Sequence, residues 1–147
     1  MLKTQLIHPQ ILAALARAGH TSKVVITDGN FPHWTKRSPN AEVVYLGLMP
    51  GWPTCTDVLK ALVTAIPIEA AHLMDTQKTG PYAMTTDPEI WQEFGAILKG
   101  TDCRGEMTKL EKPEFYAAAS SPDVCLTIAT GERRIYANLL LTIGVVR

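Results

Sequence analysis

The residues best suited to chemistry in this chain are an imidazole and a carboxylate at the two ends of one short apolar run. His20 follows Gly19, and Asp28 directly follows Lys23–Thr27, a β-branched run of the length expected for a buried strand. Ligands tend to bind just past the carboxyl ends of strands in open α/β sheets. We therefore expect Asp28 to lie in a ligand site, with His20 as its partner if the loops that carry them converge.

Both residues also have a purely structural interpretation. His20 lies near the negative end of a helix dipole, which favours the imidazolium form and suits a proton donor that works near neutral pH. The same position would let His20 cap the last carbonyl groups of that helix. Asp28 precedes Gly29 and can be a turn-forming residue. The spacing alone leaves these alternatives open.

A second pair of polar residues lies near the end of the chain. Tyr136 and Asn138 are two residues apart and share a face if the segment is extended. Inside an apolar segment they need partners, so they either satisfy each other and the backbone or face a polar ligand. The charged turn Thr130–Arg134 is expected to be a solvated loop. His72, in an apolar run, is expected to be a satisfied core histidine, and His33 is a weaker candidate for a site.

Several common kinds of site have no motif in this sequence. There is no glycine-rich dinucleotide fingerprint, no phosphate-binding loop, no HExxH pair and no GxSxG elbow. The three cysteines are far apart and lack CxxC spacing, which is typical of reduced thiols rather than of a disulfide frame or a zinc site. Nicotinamide, nucleotide, zinc and serine-hydrolase functions therefore have little support, and we expect a cytoplasmic protein without a metal site.

The composition indicates one balanced globular domain over residues 1–147. The chain has 14 basic and 14 acidic residues, which are scattered, so nothing predicts a nucleic-acid partner. No window approaches 18 uninterrupted apolar residues, and the first nine residues do not resemble a secretory signal. We expect no membrane association. Zero net charge also permits self-association, because it leaves little repulsion between copies.

The elements that must position these residues alternate between helix and strand. Apolar spacing predicts a first helix from Pro9 to a left-handed cap at Gly19, and later helices that begin after Thr54 or Thr56, at Asp87-Pro88-Glu89 and at Lys112. The strands are expected at 23–27, 42–47, 68–74, 106–110, 123–129 and within 135–146. Strands that alternate with helices of about ten residues favour a layered α/β domain with a largely parallel sheet.

The order and spacing of several short motifs resemble the ribose pyranase / L-fucose mutarotase family, and are closer to its fucose branch. They are Gly19-His20, Asp28-Gly29-Asn30-Phe31-Pro32, Thr130-Gly131-Glu132, Tyr136-Ala137-Asn138 and Gly144-Val145. The resemblance implies a cytoplasmic isomerase that interconverts the anomers of a free monosaccharide without a cofactor. It also implies a three-layer α/β/α fold with a mixed sheet, assembled into a homodecamer of two pentamers with each site near a subunit boundary.

Carried over to this sequence, the resemblance implies that His20 is the proton donor and that Asp28 binds the sugar. Tyr136 and Asn138 would hold sugar hydroxyls. The fucose branch has an arginine where this chain has Lys112, which keeps the charge but loses the planar fork of a guanidinium. The Met49–Pro53 turn is a further departure, and Trp52 within it is a candidate to line the pocket.

Opening a pyranose requires one proton to reach the ring oxygen while another leaves the anomeric hydroxyl. An imidazole with a pKa of about 6.5 can serve both transfers, helped by Asp28 or a bound water. Two alternatives from other classes remain: a non-catalytic sugar-binding or sensing protein, and a structural ring-forming subunit. The residues do not identify the sugar, nor do they separate anomer exchange from exchange between pyranose and furanose rings.

Overall fold

A six-stranded mixed sheet forms the centre of the protein. A computed structural model describes all residues, 1–147. The elements are α1 (Pro9–Arg17), β1 (Lys23–Thr27), β2 (Glu42–Tyr45), α2 (Cys55–Leu62), β3 (Ile68–Met74), α3 (Glu89–Leu98), β4 (Thr108–Leu110), α4 (Lys112–Ala119), β5 (Val124–Ala129) and β6 (Leu139–Ile143). The predicted alternation of helix and strand is confirmed.

The sheet has the order β2-β5-β1-β6-β3-β4. Strand β1 is parallel to β5, β5 to β2, and β3 to β4, whereas β6 is antiparallel to both β1 and β3. Five strands therefore point the same way, and only the last one runs back. The carboxyl ends of the five parallel strands meet at one edge, called here the carboxyl edge. The opposite edge is called the amino edge.

The connections place helices on both faces of the sheet. The connections from β2 to β3 and from β3 to β4 both lead toward the β4 side of the sheet, and the connection from β4 to β5 leads back toward the β2 side. Because such crossovers are right-handed, α2 and α3 lie on one face and α4 lies on the other. Val24, Val25 and Ile26 of β1 are fully buried, since both faces of the central strand are covered. The expected three-layer arrangement is confirmed.

A local sequence signal explains where α2 begins, whereas the cap of α1 is unexpected. Thr54 caps α2 by accepting from the backbone N–H of Asp57, whose side chain in turn accepts from the Thr54 N–H. His8 caps α1 through its ring Nδ1, which accepts from the Ile11 N–H at 3.4 Å. The sequence gives no reason to prefer His8, which is an uncommon capping residue.

Two predicted helix boundaries are wrong in detail. Helix α1 ends one residue earlier than expected, with Ala18 as an extended C-cap, and the left-handed residue of this turn is Thr21 (φ 69°) rather than Gly19. Asp87 does not cap α3. Its carboxylate instead pairs with the Lys109 ammonium at 2.8 Å, and Pro88 takes the capping position.

No helix of the protein is long and apolar enough to cross a membrane.

Candidate active site

A pocket of about 330 Å³ opens at the carboxyl edge, a size at the lower end of the range for small-molecule sites. It lies between the loops that follow β1, β3 and β5 and the first turn of α4. The polar side chains that the sequence singled out around it are Asp28, Lys112, Tyr136 and Asn138, and the other lining residues are Asn30, Phe31, Met74, Tyr82, Tyr116 and Ile135. The structure therefore brings four of the five predicted site residues together.

Asp28 and Asn138 form a closed hydrogen-bonded pair at the base of this pocket. The Asn138 amide donates to Asp28 Oδ2 at 2.9 Å, and its Oδ1 accepts from the Asp28 backbone N–H at 3.0 Å. The Asn30 backbone N–H donates to Asp28 Oδ1 at 2.9 Å. The amide keeps one N–H, and both side chains line the pocket. The pair can therefore accept from and donate to neighbouring sugar hydroxyls.

Burial raises the pKa of the Asp28 carboxyl, and the hydrogen bonds from Asn30 and Asn138 partly oppose that rise. Asp28 is almost completely buried in the folded chain. Because burial outweighs these hydrogen bonds, further hydroxyl donors from a ligand would stabilise the charged carboxylate.

The first residue of α4 places a cation at the mouth of the pocket. Lys112 Nζ lies 5.8 Å from the centre of the Tyr116 ring, and Lys36 Nζ lies 5.7 Å from it. The same ring packs edge-on against Phe31, with 5.6 Å between centroids. Tyr116 is a lining residue that the sequence analysis did not single out. Its place four residues after Lys112, one helical turn along α4, was the available signal.

His20 is not part of this pocket. It precedes β1 at the amino edge, whereas Asp28 follows β1 at the carboxyl edge, and at about 3.3 Å per residue the strand alone separates them by more than about 13 Å. The His20 side chain is half exposed, and its Nε2 lies 3.0 Å from Glu69 Oε2. Within one protomer, the expected convergence of the loops that carry His20 and Asp28 is wrong.

The Tyr136 hydroxyl is occupied by main-chain partners. It donates to the Tyr82 carbonyl at 2.8 Å and accepts from the Gln77 N–H at 3.2 Å. Tyr136 has a positive φ of 59°, so the segment is not extended there as the sequence suggested. Its carbonyl accepts from the indole Nε1 of the buried Trp91 at 2.9 Å.

The segment Thr130–Arg134 is not the solvated loop that its charges suggested. Glu132 is only 3% exposed, and its Oε1 accepts from the backbone N–H groups of Arg133 and Arg134 and from Arg134 Nε, each at 3.0 Å. Its Oε2 accepts from Arg134 Nη2 at 2.9 Å and from the Cys55 N–H at the start of α2. Burial tends to raise the pKa of Glu132, but the hydrogen bonds and charge of Arg134 lower it overall.

The backbone of this segment also holds the Asp28 turn. The Gly29 N–H donates to the Glu132 carbonyl at 2.9 Å, and the Thr130 hydroxyl donates to the Thr27 carbonyl at 2.8 Å. On its other side, a Cβ at Gly131 would lie 2.5 Å from the carbonyl oxygens of Met49 and Trp52. The Met49–Pro53 turn is therefore packed against the site loop, but Trp52 itself is exposed and does not line the pocket.

The two remaining histidines of interest lie outside the pocket. His33 Nε2 contacts Thr27 Oγ1 at 2.7 Å, and this hydroxyl also donates to the Ile128 carbonyl at 3.1 Å. The hydroxyl proton is thereby used, so His33 Nε2 must be the donor. His72 is only half buried, and its buried Nδ1 has no hydrogen-bond partner, so it is not the satisfied core histidine that was expected.

No group of three or more His, Cys, Asp or Glu side chains is arranged to hold a metal ion.

The comparisons with known proteins all indicate the same family. Residues 1–146 match the model of the RbsD / FucU transport protein family. The chain is 32% identical to human fucose mutarotase over 146 residues, which cover 95% of this chain and 90% of that protein. Its fold is similar to FucU from Bifidobacterium longum, with a TM-score of 0.78, 33% identity and 96% of each chain covered. It is also similar to Bacillus subtilis RbsD complexed with D-ribose, with a TM-score of 0.75, 26% identity and all of each chain covered.

Replacing Glu132 by Gln should destabilise the protein by at least about 2 kcal/mol, because an amide cannot accept from all five donors and leaves Arg134 without its buried partner. Denaturant unfolding would measure the loss. The matched control is Glu93→Gln, which removes only the exposed partner of Arg134 and should cost less than about 0.5 kcal/mol. Equal effects of the two substitutions would show that Glu132 is not the main anchor of this loop.

The contribution of His33 to the stability of the protein should fall as the pH is lowered from about 7.5 to about 5. Burial lowers the pKa of His33 in the folded state, so the unfolded chain binds its proton more readily, and the stabilisation is lost as the pH falls through about 6.5. Burial lowers the pKa of His72 in the same direction.

Denaturant unfolding across this pH range tests the contribution of His33. A His33→Gln variant keeps a side-chain N–H for Thr27 and removes the titration, so its stability should depend less steeply on pH than that of the wild type. The double variant with His72→Gln should be flatter still. A His33→Gln curve parallel to that of the wild type would contradict this assignment.

Proposed function

The chain belongs to the RbsD / FucU transport protein family, and we propose that it is a sugar mutarotase, an isomerase that interconverts the anomers of a free monosaccharide without a cofactor. The observation that carries the proposal is the hydrogen-bonded Asp28–Asn138 pair at the base of a pocket of about 330 Å³. Fucose mutarotase and RbsD complexed with D-ribose are among the proteins it resembles, so the substrate class is a small aldose.

The pocket combines groups that bind hydroxyls with groups that bind carbon. Asp28, Asn138 and Lys112 supply acceptors and donors at one side, and Met74 and Ile135 supply apolar surface. A site that pairs each substrate hydroxyl discriminates strongly, because a sugar that lacks the hydroxyl leaves a buried polar group unpaired. We assign sugar binding to Asp28, Lys112, Tyr136 and Asn138, with Tyr136 contributing its ring.

His20 is the proposed acid and base, and it acts in the pocket of a neighbouring copy. The imidazole is exposed at the amino edge, and the Glu69 carboxylate beside it can orient the ring. His20 and the pocket lie at opposite edges of the sheet. The amino edge of one copy therefore meets the carboxyl edge of another only if the copies pack head to tail. Head-to-tail contacts with a suitable rotation close into rings, in agreement with the expected homodecamer of two pentamers.

The amino edge also carries apolar residues that a neighbour can cover. Val145 and Val146 are exposed directly after Gly144, which packs against Glu69. At the other edge, Tyr82 and Ile135 are exposed around the pocket. In the assembled site, His20 would deliver a proton to the ring oxygen while the anomeric hydroxyl loses one to Asp28 or to water, which opens the ring. Rotation about the C1–C2 bond and closure give the other anomer.

The expected compartment is the cytoplasm. The three cysteines are free thiols, which a reducing compartment maintains.

Anomer-exchange NMR on the purified protein tests the activity. We expect faster exchange between α and β signals for at least one aldose in a panel of L-fucose, D-arabinose and D-ribose. As pyranoses, L-fucose and D-arabinose differ only by the methyl group at C5, so their ratio reports the apolar side of the pocket. A sugar-binding protein without catalysis would shift or broaden the signals and leave the exchange rate unchanged. A structural subunit would do neither.

Subunit complementation tests the shared site. His20→Ala and Asp28→Asn should each reduce exchange by at least about 100-fold, the usual scale for general acid–base groups. Co-expression of the two variants in equal amounts should restore about a quarter of the wild-type activity, because about one site in four then receives both native residues from different copies. No recovery in a mixed oligomer would show that His20 does not reach a neighbour's pocket. The wild-type exchange rate in the His20→Ala variant would remove His20 from the reaction altogether.

A further inference from the structure

The phenol of Tyr136 is placed to hold a loop. Its hydroxyl has one proton to donate, and the Tyr82 carbonyl takes it at 2.8 Å. One of its lone pairs accepts from the Gln77 N–H at 3.2 Å. A sugar hydroxyl can therefore reach this group only as a donor to the remaining lone pair, or by displacing a main-chain partner.

The two main-chain partners belong to one closed turn, residues 77–84. The Met84 N–H donates to the Gln77 carbonyl at 3.0 Å, and the Ala83 N–H donates to the Gly80 carbonyl at 3.1 Å. Gly80, at a positive φ of 92°, makes the reversal without strain. Beyond these bonds the turn has few anchors, since most of its side chains are exposed.

The turn presents one aromatic ring to the pocket. Tyr82 lines the pocket, and 63% of its surface is exposed. The ring lies at the pocket that also contains Asp28 and Asn138, the residues assigned to the sugar hydroxyls. An aromatic ring offers a flat apolar surface to the C–H face of a pyranose, and it loses little conformational freedom on binding.

We propose that Tyr136 is a positioning residue, whose hydroxyl latches the 77–84 turn over the pocket, and that Tyr82 is the specificity-determining residue that this latch holds against the sugar. The role of Tyr82 rests on the proposed function, whereas the latch does not depend on it. It separates Tyr136 from Asn138, because Asn138 acts on the sugar through Asp28 and its own amide, whereas the Tyr136 hydroxyl acts through a loop.

A double-mutant cycle distinguishes the latch from a direct contact between the Tyr136 hydroxyl and the sugar. Tyr82→Ala should raise the KM for the preferred aldose at least about 10-fold with a smaller change in kcat, because the ring binds and does not transfer protons. Tyr136→Phe should raise KM in the same direction. The double variant should lie within about twofold of Tyr82→Ala, since the latch has no effect once its ring is gone.

If the rise in KM of the double variant is the product of the two single rises, the Tyr136 hydroxyl contacts the sugar directly and the proposal is overturned. An unchanged KM in Tyr82→Ala would remove Tyr82 as the specificity residue. Both comparisons require that the wild type accelerates anomer exchange. If it does not, the proposed function fails together with the role of Tyr82, and the latch is decided by the measurement that follows.

Limited trypsin digestion without sugar tests the latch itself. Lys78 is an exposed site within the turn. Tyr136→Phe should increase cleavage after Lys78 at least about fivefold, whereas Tyr82→Ala keeps the carbonyl that accepts the phenol proton and should not. Tyr116→Phe, which removes a hydroxyl from the same pocket, is the matched control and should digest like the wild type.

A second measurement covers the case in which Tyr136→Phe folds poorly. In the wild type, the amide proton of Gln77 should exchange with solvent at least about 10-fold more slowly than that of Lys78, because only the Gln77 amide donates to the phenol. Equal exchange of the two amides, or equal digestion of Tyr136→Phe and wild type, would overturn the latch.

Discussion

The insertion of one antiparallel strand into a parallel sheet is the constraint on which the site depends. Strand β5 ends at the carboxyl edge, and β6 must begin at that edge in order to run back between β1 and β3. The connection 130–138 therefore never leaves the edge where β1 and β3 also end. This is why Asn138 meets Asp28 across 110 residues of sequence. A parallel sixth strand would have required the chain to cross to the amino edge first.

Two buried carboxylates at this edge have opposite pKa shifts, and the difference follows from their partners. Glu132 has an arginine and three backbone N–H groups, which together outweigh its burial and lower its pKa. Asp28 has one amide and backbone N–H groups but no cation as a hydrogen-bond partner, so burial prevails and raises its pKa. The first carboxylate is satisfied by the protein and holds the loop in place. The second has no cation and lines the pocket, where the hydroxyls of a ligand can reach it.

Most of the fold and part of the site could be predicted from the sequence, and the failures have physical causes. Asp28 was found because the β-branched run before it defines a strand end. The burial of Glu132 was missed because Thr-Gly-Glu-Arg-Arg has the composition of a solvated turn, and because one of its partners, the Cys55 N–H, lies 77 residues away in the sequence. The separation of His20 from Asp28 could have been foreseen. A five-residue strand spans more than about 13 Å, which is too far for side chains at its two ends to form a hydrogen bond. The engaged hydroxyl of Tyr136 could not, since it depends on the path of a polar loop without periodicity.

The hydrogen bond from Trp91 to the Tyr136 carbonyl gives the protein a built-in optical reporter. The indole is buried, its N–H is bound to the main chain of the pocket loop, and the Lys109 ammonium lies 4.7 Å from its ring centre. Trp34 and Trp52 are both exposed to water. The buried indole therefore differs in environment from the other two, and a displacement of the residues beside the pocket changes its local field without an added label.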